Sequence, residues 1–143
     1  MASFGISTLS IVPGRAEPAD SSEQLTQLLF GECYEIKETR KRWMRIQTFF
    51  DNYECWIDLK QHTPLEEKLA VKIQKQKFIP VSLEAVGLVE DVATKSMTPI
   101  MAGSSLPYFE NGRFQIGKRE FLFDGQVQMK ADKKNTDLVV QHA

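Results

Sequence analysis

The chain has 143 residues, of which 42% are apolar, 26% charged and 10% aromatic, and its formal net charge is -1 at pH 7. This length predicts one ordinary domain or two small ones, and the balanced charge lacks the positive excess that non-specific nucleic-acid binders use. Because no run approaches the roughly 20 apolar residues of a membrane span and residues 1–12 lack the basic start of a secretory signal, we expect a cytoplasmic chain with no nucleic-acid or membrane partner.

Short runs in the first 62 residues alternate polar and apolar side chains and are rich in aromatic residues, as β-strands are. Gly31 stands where a strand would bend, and Asp51-Asn52 would form a turn before a further short run, YECWIDL. Strands of about four to seven residues, spaced about ten residues apart, predict a small antiparallel barrel over residues 1–62.

A helical pattern follows this first set of strands. Thr63 would be the N-cap, Pro64 the first helical residue and Glu66 the partner that completes a capping box. Apolar residues then recur every fourth position on one helical face, at Leu65, Leu69 and Ile73. The sequence therefore predicts a helix over 64–76, within a linker that spans 63–77.

Residues 78–131 carry a second set of strand patterns, which predicts a second small barrel. Asn111-Gly112 is a hairpin signal, because both residues tolerate the positive φ of a type I′ turn. Gly117-Lys118-Arg119-Glu120 would turn a second hairpin between alternating apolar positions. Residues 132–143 are predicted to be a polar linker and, from Thr136, the start of a helix that stops after two turns.

Two cysteines and two histidines make a catalytic Cys–His pair arithmetically possible. Cys33 and Cys55 show no C-x-x-C spacing, so we expect free thiols rather than a disulfide framework. His62 lies beside the predicted helix and His142 at the end of the chain, and these four residues lack the spacing of a zinc site. The residues predict no catalytic site, no metal and no cofactor.

A basic and aromatic cluster comprises Arg40-Lys41-Arg42, Trp43 and Arg45. It would clamp an anionic ligand or RNA, or it is simply the polar tip of a hairpin whose tryptophan points inward. Tyr53 and Trp56 flank a turn, where small barrels often bind peptides. Core packing alone would explain Trp56, whereas Tyr53 fits a ligand contact and a packing role equally well.

Several motifs resemble a known family. The run IVPGRAEPADSSEQLTQLLFGE at residues 11–32 resembles the first bacterial SH3-like (SH3b) domain of NlpC/P60 cysteine peptidases, and YECWID at 53–58 resembles a later element of that domain. GSSLPY at 103–108, GRFQIG at 112–117 and FLFDG at 121–125 resemble the second SH3b domain. The resemblance implies an all-β fold of two small SH3-like barrels joined by a short linker helix.

In that family, two SH3b domains precede a papain-like domain that cuts murein peptides between D-glutamate and a diamino acid. Residues 136–143 resemble the first helix of that domain, and the catalytic cysteine, histidine and third residue are expected to be absent. The resemblance therefore implies a non-catalytic region that binds murein stem peptides, or gates their access to an NlpC/P60 catalytic domain in cis or in trans. A cell-envelope location would follow if the N-terminus were trimmed.

The resemblance carries two site residues onto this sequence. Glu23, of the Ser-Glu element, and Tyr53, of the Tyr-Glu-x-Trp element, would hold the free amino end of the peptide; a capping or purely surface role for Glu23 stays open. Cys55 stands where the family usually has glycine, and it would strain the turn if that position needs positive φ.

Two other functions remain alternatives. One is a stand-alone tandem SH3-like interaction module that binds a protein or a glycan, with no peptidase attached. The other is an independent enzyme that uses Cys33 or Cys55 with His62.

Overall fold

Thirteen antiparallel strands and one short α-helix make up residues 3–131, the part of the chain that this computed structural model describes. Strands account for 52% of the described residues and helix for 9%, so the predicted all-β class with a short helix is confirmed. The predicted linker and helix start at residues 132–143 lie outside the described residues. No helix in the described part is long and apolar enough to span a bilayer.

The first half of the structure is a seven-stranded sheet with the order β3-β2-β6-β5-β4-β1-β7. Its strands are β1 (Ser3–Ile6), β2 (Ile11–Arg15), β3 (Gln24–Leu29), β4 (Cys33–Arg40), β5 (Trp43–Thr48), β6 (Glu54–Asp58) and β7 (Thr63–Leu65). A short 3-10 helix, Leu59–Gln61, joins β6 to β7. The sheet is open in the described residues, with β3 and β7 as its two edges.

The second half contains a four-stranded sheet of order β10-β9-β12-β11 and a two-stranded sheet of β13 with β8. Its strands are β8 (Phe78–Ser82), β9 (Val86–Asp91), β10 (Met97–Met101), β11 (Arg113–Ile116), β12 (Arg119–Leu122) and β13 (Val127–Ala131). Both predicted turns are present. Asn111 and Gly112 have φ of 51° and 79°, and Gly117 at φ 60° turns the hairpin between β11 and β12.

The helix α1 spans Glu67–Gln74, so it begins three residues later than predicted. The predicted capping box is wrong, because Thr63 lies in β7, which pairs with β1, and its hydroxyl hydrogen-bonds that of Thr8 at 3.0 Å. Glu66 is the N-cap residue and makes no side-chain capping bond. Pairing with a strand from the start of the chain therefore prevails over the local helix signal.

One apolar cluster runs through both halves. Phe30, after β3, makes edge-to-face contacts with Phe114 and Phe121, and both centroid distances are 5.9 Å. Helix α1 adds Ala70 and Ile73 to the same cluster. Such aromatic contacts stabilise beyond the area that they bury. The division into residues 1–62 and 78–131 remains a prediction.

Candidate functional site

The two predicted site residues, Glu23 and Tyr53, stand at the same end of the first sheet. Glu23 directly precedes β3 and Tyr53 directly precedes β6. Strand β2 lies between β3 and β6 and is antiparallel to both, with Arg15 opposite Gln24 on one side and Trp56 on the other. Strands β3 and β6 therefore run in the same direction, and the residues that precede them, Glu23 and Tyr53, lie at the same end of the sheet. Their strands are separated by two strand spacings, which is about 10 Å across the sheet.

Both side chains are accessible to a ligand. Glu23 is exposed, and its carboxylate has no hydrogen-bond or ion-pair partner within residues 3–131. Tyr53 is 38% exposed, and its backbone is fixed by Thr48, whose Oγ1 accepts from the Tyr53 N–H at 3.1 Å. The site thus offers a carboxylate and a phenol, both of which accept hydrogen bonds from an ammonium group.

The basic and aromatic cluster forms the tip of the β4–β5 hairpin. Arg40 pairs with Glu38 at 2.7 Å, and Arg42 pairs with Asp20 at 2.6 Å. Arg45 contacts both Glu38 and Glu54, while Trp43 is buried. Because each guanidinium already has a carboxylate partner, the geometry favours the polar-tip interpretation over an anion clamp. Trp56, also buried, lies under Arg40, whose Cζ is 5.2 Å from the ring centroid.

The cysteines and His62 do not form a catalytic pair. Cys33 and Cys55 are free and buried, and burial raises the pKa of each thiol to about 12. His62 instead hydrogen-bonds the Tyr34 hydroxyl through Nδ1 at 2.8 Å, and burial lowers its pKa. A nucleophilic cysteine needs a thiolate and a base in hydrogen-bond contact, and within the described residues neither thiol hydrogen-bonds a histidine or a carboxylate; the Cys33 thiol donates to the Gly31 carbonyl at 3.6 Å. His142 lies outside the described residues.

Cys55 occupies a regular position in β6, opposite Ile46. Its φ is not positive, so the strain expected from replacing the family's glycine is absent. Its sulfur fills the space beside Gly14, where an added Cβ would lie 2.6 Å from Sγ. The Tyr53 carbonyl accepts a hydrogen bond from the Thr48 N–H at 3.0 Å, across the turn that precedes β6.

A cleft of about 470 Å³ between the two halves is a feature that the sequence analysis missed. Neither Glu23 nor Tyr53 lines it. Its residues come from both halves and are remote in sequence, so no local motif indicates it. Its walls include apolar side chains (Leu29, Phe49, Phe50, Ile73, Ile79 and Val81) and polar ones (Glu32, Glu35, Gln47, Gln76, Ser105 and Lys130).

Glu32 is a carboxylate of this cleft whose pKa is shifted. Burial raises the pKa of its carboxyl, and the charge of Asp51 adds to that effect. The Leu29 N–H, which donates to Oε1 at 3.2 Å, and the charge of Lys130 both lower the pKa, but less than burial raises it. The described residues contain no cluster of three or more side chains able to hold a metal ion.

Comparison with known proteins bears on the first half most directly. Residues 14–61, which include Glu23 and Tyr53, match the family described as bacterial dipeptidyl-peptidase Sh3 domain. No curated protein matches the chain. Because that match covers only the first half, the rest of the chain is characterised by its fold alone.

The fold resembles that of a solved NlpC/P60 family protein. An NlpC/P60 family protein from Bacillus cereus ATCC 10987 matches with a TM-score of 0.70 and 12% identity, over 89% of this chain and 57% of that one. NlpC2 from Trichomonas vaginalis matches with a TM-score of 0.39 and 12% identity, over 93% of this chain and 47% of that one. The chain thus spans little more than half the length of the Bacillus protein. The bacterial SH3 match at residues 14–61 and the fold shared with an NlpC/P60 protein together confirm the predicted resemblance to an SH3b region of NlpC/P60 proteins.

Proposed function

We propose that this chain is a non-catalytic accessory region of an NlpC/P60-type cell-wall peptidase and that it binds murein stem peptides by their free amino end. Two findings support the proposal: the bacterial SH3 family match, and the fold shared with an NlpC/P60 protein. The matched segment contains both predicted ligand residues, Glu23 and Tyr53.

One observation carries the peptide-binding part of the proposal. An exposed carboxylate and an exposed phenol stand at the same end of one sheet, and the described residues do not satisfy the Glu23 carboxylate. A free ammonium group donates three hydrogen bonds and carries the complementary charge. A stem peptide whose amino end is still joined through an amide has neither property, so the site would select released peptides.

Bond cleavage would come from a catalytic NlpC/P60 domain, supplied in cis or in trans. Both thiols of the described structure are protonated at neutral pH, because burial raises the pKa of each to about 12. The chain alone is then expected to bind the peptide without hydrolysing it. A cytoplasmic location, which we also propose, would suit the recognition of already released peptides.

The test is a calorimetric titration of the 143-residue chain with L-Ala-γ-D-Glu-diaminopimelate and with its N-acetylated form. We expect the free peptide to bind. The acetylated peptide should bind at least about tenfold more weakly, because the charge-assisted hydrogen bonds of its ammonium group are lost. Glu23→Gln and Tyr53→Phe should each weaken binding of the free peptide. Glu17→Gln, a change at another exposed carboxylate of the β2–β3 loop, is the matched control and should leave binding unchanged.

Equal affinity for the free and the acetylated peptide would refute recognition of the amino end. Absence of binding to either peptide would favour the stand-alone interaction module that binds a protein or glycan. Turnover that survives replacement of both Cys33 and Cys55 by alanine would show that the chain has a catalytic site of its own.

A further inference from the structure

The cleft between the two halves contains two residues of opposite charge that do not form an ion pair with each other. Glu32 follows Gly31 in the first half, and Lys130 lies in β13 of the second half. Ion pairs in residues 3–131 join neither of them to any partner. A third charged residue of the cleft, Glu35, is already paired with Lys37 at 3.2 Å.

The surroundings of Glu32 leave most of its carboxylate available. Its one hydrogen bond in the described structure comes from the Leu29 N–H, and that bond uses Oε1. A carboxylate has about four acceptor positions, and the Leu29 N–H occupies only one of them. Oε2 is not among the side-chain atoms of the described residues that are buried without a partner, so it is open to solvent and can accept a hydrogen bond from a ligand.

Lys130 shows that an ammonium group already fits in this cleft. Its Nζ lies 5.1 Å from the centroid of the Phe50 ring, a cation–π distance. Its charge also acts on Glu32, whose pKa it lowers, although no ion pair forms between them. The ammonium of Lys130 therefore remains able to receive an anionic group from a ligand.

We propose that this cleft binds a small zwitterion, an amino acid or a short peptide with both ends free, with its ammonium on Glu32 and its carboxylate on Lys130. The volume of about 470 Å³ lies in the usual range for small-molecule sites. Leu29, Ile79 and Val81 provide an apolar wall for ligand side chains. The side chains of Gln76 and Ser105 line the cleft and offer donors and acceptors for a peptide group.

Neither Glu23 nor Tyr53 lines this cleft, although Thr48, which binds the Tyr53 backbone, does. The inference does not depend on the function proposed for Glu23 and Tyr53. The ligand class differs as well: recognition at Glu23 and Tyr53 requires an ammonium group alone, whereas the cleft requires both charges. Blocking the carboxyl end of a peptide therefore distinguishes the two sites.

The test is an NMR titration of the 143-residue chain with L-Ala-L-Leu-L-Ala and with its N-acetylated and C-amidated forms. We expect the free peptide to shift the backbone amide signals of Gly31, Gly103 and Ser105, which line the cleft. Each blocked form should bind at least about tenfold more weakly, because each loses one charge-assisted contact. Shifts confined to the neighbourhood of Tyr53, or dissociation constants above about 1 mM for the free peptide, would overturn the cleft proposal and leave the first site unaffected.

Variants then assign each end of the ligand. Glu32→Gln should weaken binding of the free peptide about tenfold, and N-acetylation should then have no further effect on the affinity. Lys130→Met should likewise weaken binding of the free peptide about tenfold, and C-amidation should then have no further effect. Glu120→Gln, at a carboxylate outside the cleft that is paired with Arg113, is the matched control and should change the affinity little. An equal loss with Glu120→Gln, or an acetylation effect that persists in Glu32→Gln, would refute the assignment. The end-blocked peptides test the native chain, so the conclusion does not rest on the folding of any variant.

Discussion

Gly31 lies directly against the backbone of Ser105: a Cβ added to Gly31 would be 1.8 Å from the Ser105 carbonyl oxygen. The residue before it, Phe30, accepts a hydrogen bond from the Ser105 N–H at 2.8 Å. Gly31 also has φ of 83°, a conformation that other residues adopt at a cost. The two halves thus meet backbone to backbone at a position where only glycine fits, and the cleft opens beside this contact.

Gly31→Ala should therefore be strongly destabilising. The Cβ must displace the backbone of the second half while residue 31 keeps a left-handed φ, so we expect a loss of about 3 kcal/mol or more in the free energy of unfolding. Gly117→Ala is the matched control: its φ is 60°, but a Cβ there meets nothing within 4 Å, and the loss should be about 1 kcal/mol. Urea denaturation measures both. Similar losses for the two variants would contradict the close contact with Ser105.

Phe30→Ala should lower the stability of both halves together. Phe30 is fully buried against Phe114 and Phe121 in the second half, and removing such a ring costs about 3 to 5 kcal/mol. Both tryptophans, Trp43 and Trp56, lie in the first half, so their fluorescence reports that half whereas far-UV circular dichroism reports the whole chain. The two probes should give one coincident urea transition, before and after the substitution. Two separate midpoints would show that the halves unfold independently.

Local patterns predicted the features that depend on a few neighbouring residues. The positive φ of Asn111 and Gly112 was predictable because a two-residue turn imposes that conformation on its own residues. The inward position of Trp43 was predicted because Trp43 directly follows the polar hairpin tip Arg40-Lys41-Arg42. The β class could be predicted for the same reason, since the period of two is visible in short runs.

Features that depend on remote residues were not predictable in this way. Thr63 has the sequence context of a helix cap, but β1, about sixty residues earlier, pairs with it as a strand. The cleft is lined by both Glu32 and Lys130, which are nearly one hundred positions apart in the sequence. The positions of Glu23 and Tyr53 at one sheet end depend on β2 lying between their strands. Pairing of this kind is decided by tertiary packing, which local propensity does not contain.

Gly14 and Cys55 should be energetically coupled. A Cβ at Gly14 would lie 2.6 Å from Cys55 Sγ, and Thr26 Cγ2 would be 2.9 Å away. Gly14→Ala should therefore cost about 1 to 3 kcal/mol. Adding Cys55→Ala removes the sulfur and should recover part of that loss, giving a coupling of about 1 kcal/mol in a double-mutant cycle from thermal or urea unfolding. Strict additivity of the two substitutions would mean that the sulfur is not what limits space at Gly14.

Glu32→Gln should increase stability at neutral pH. Burial raises the pKa of Glu32 above its ordinary value of 4.5, so the folded state holds this proton more tightly than the unfolded state does. The stability from Glu32 is therefore fully present below pH 4.5 and is lost as the pH rises through the higher pKa of the folded state. The stability advantage of Glu32→Gln should grow from pH 4 to pH 7 in urea unfolding experiments. A difference that is constant across this range, or that falls, would show that the carboxyl is not destabilised by the cleft.

Both cysteines should be unreactive toward a thiol reagent in the folded protein. Raising the thiol pKa from 9.0 to about 12 lowers the thiolate fraction at pH 8 about a thousandfold, and only the thiolate attacks. Cys33 is 6% exposed and Cys55 is 2% exposed, so access is restricted as well. Titration with a chromogenic disulfide at pH 8 should give almost no reaction in buffer and two rapid equivalents in concentrated urea. Fast reaction of one thiol in buffer, abolished by replacing His62, would instead indicate an activated Cys–His pair and reinstate the hypothesis of an independent enzyme.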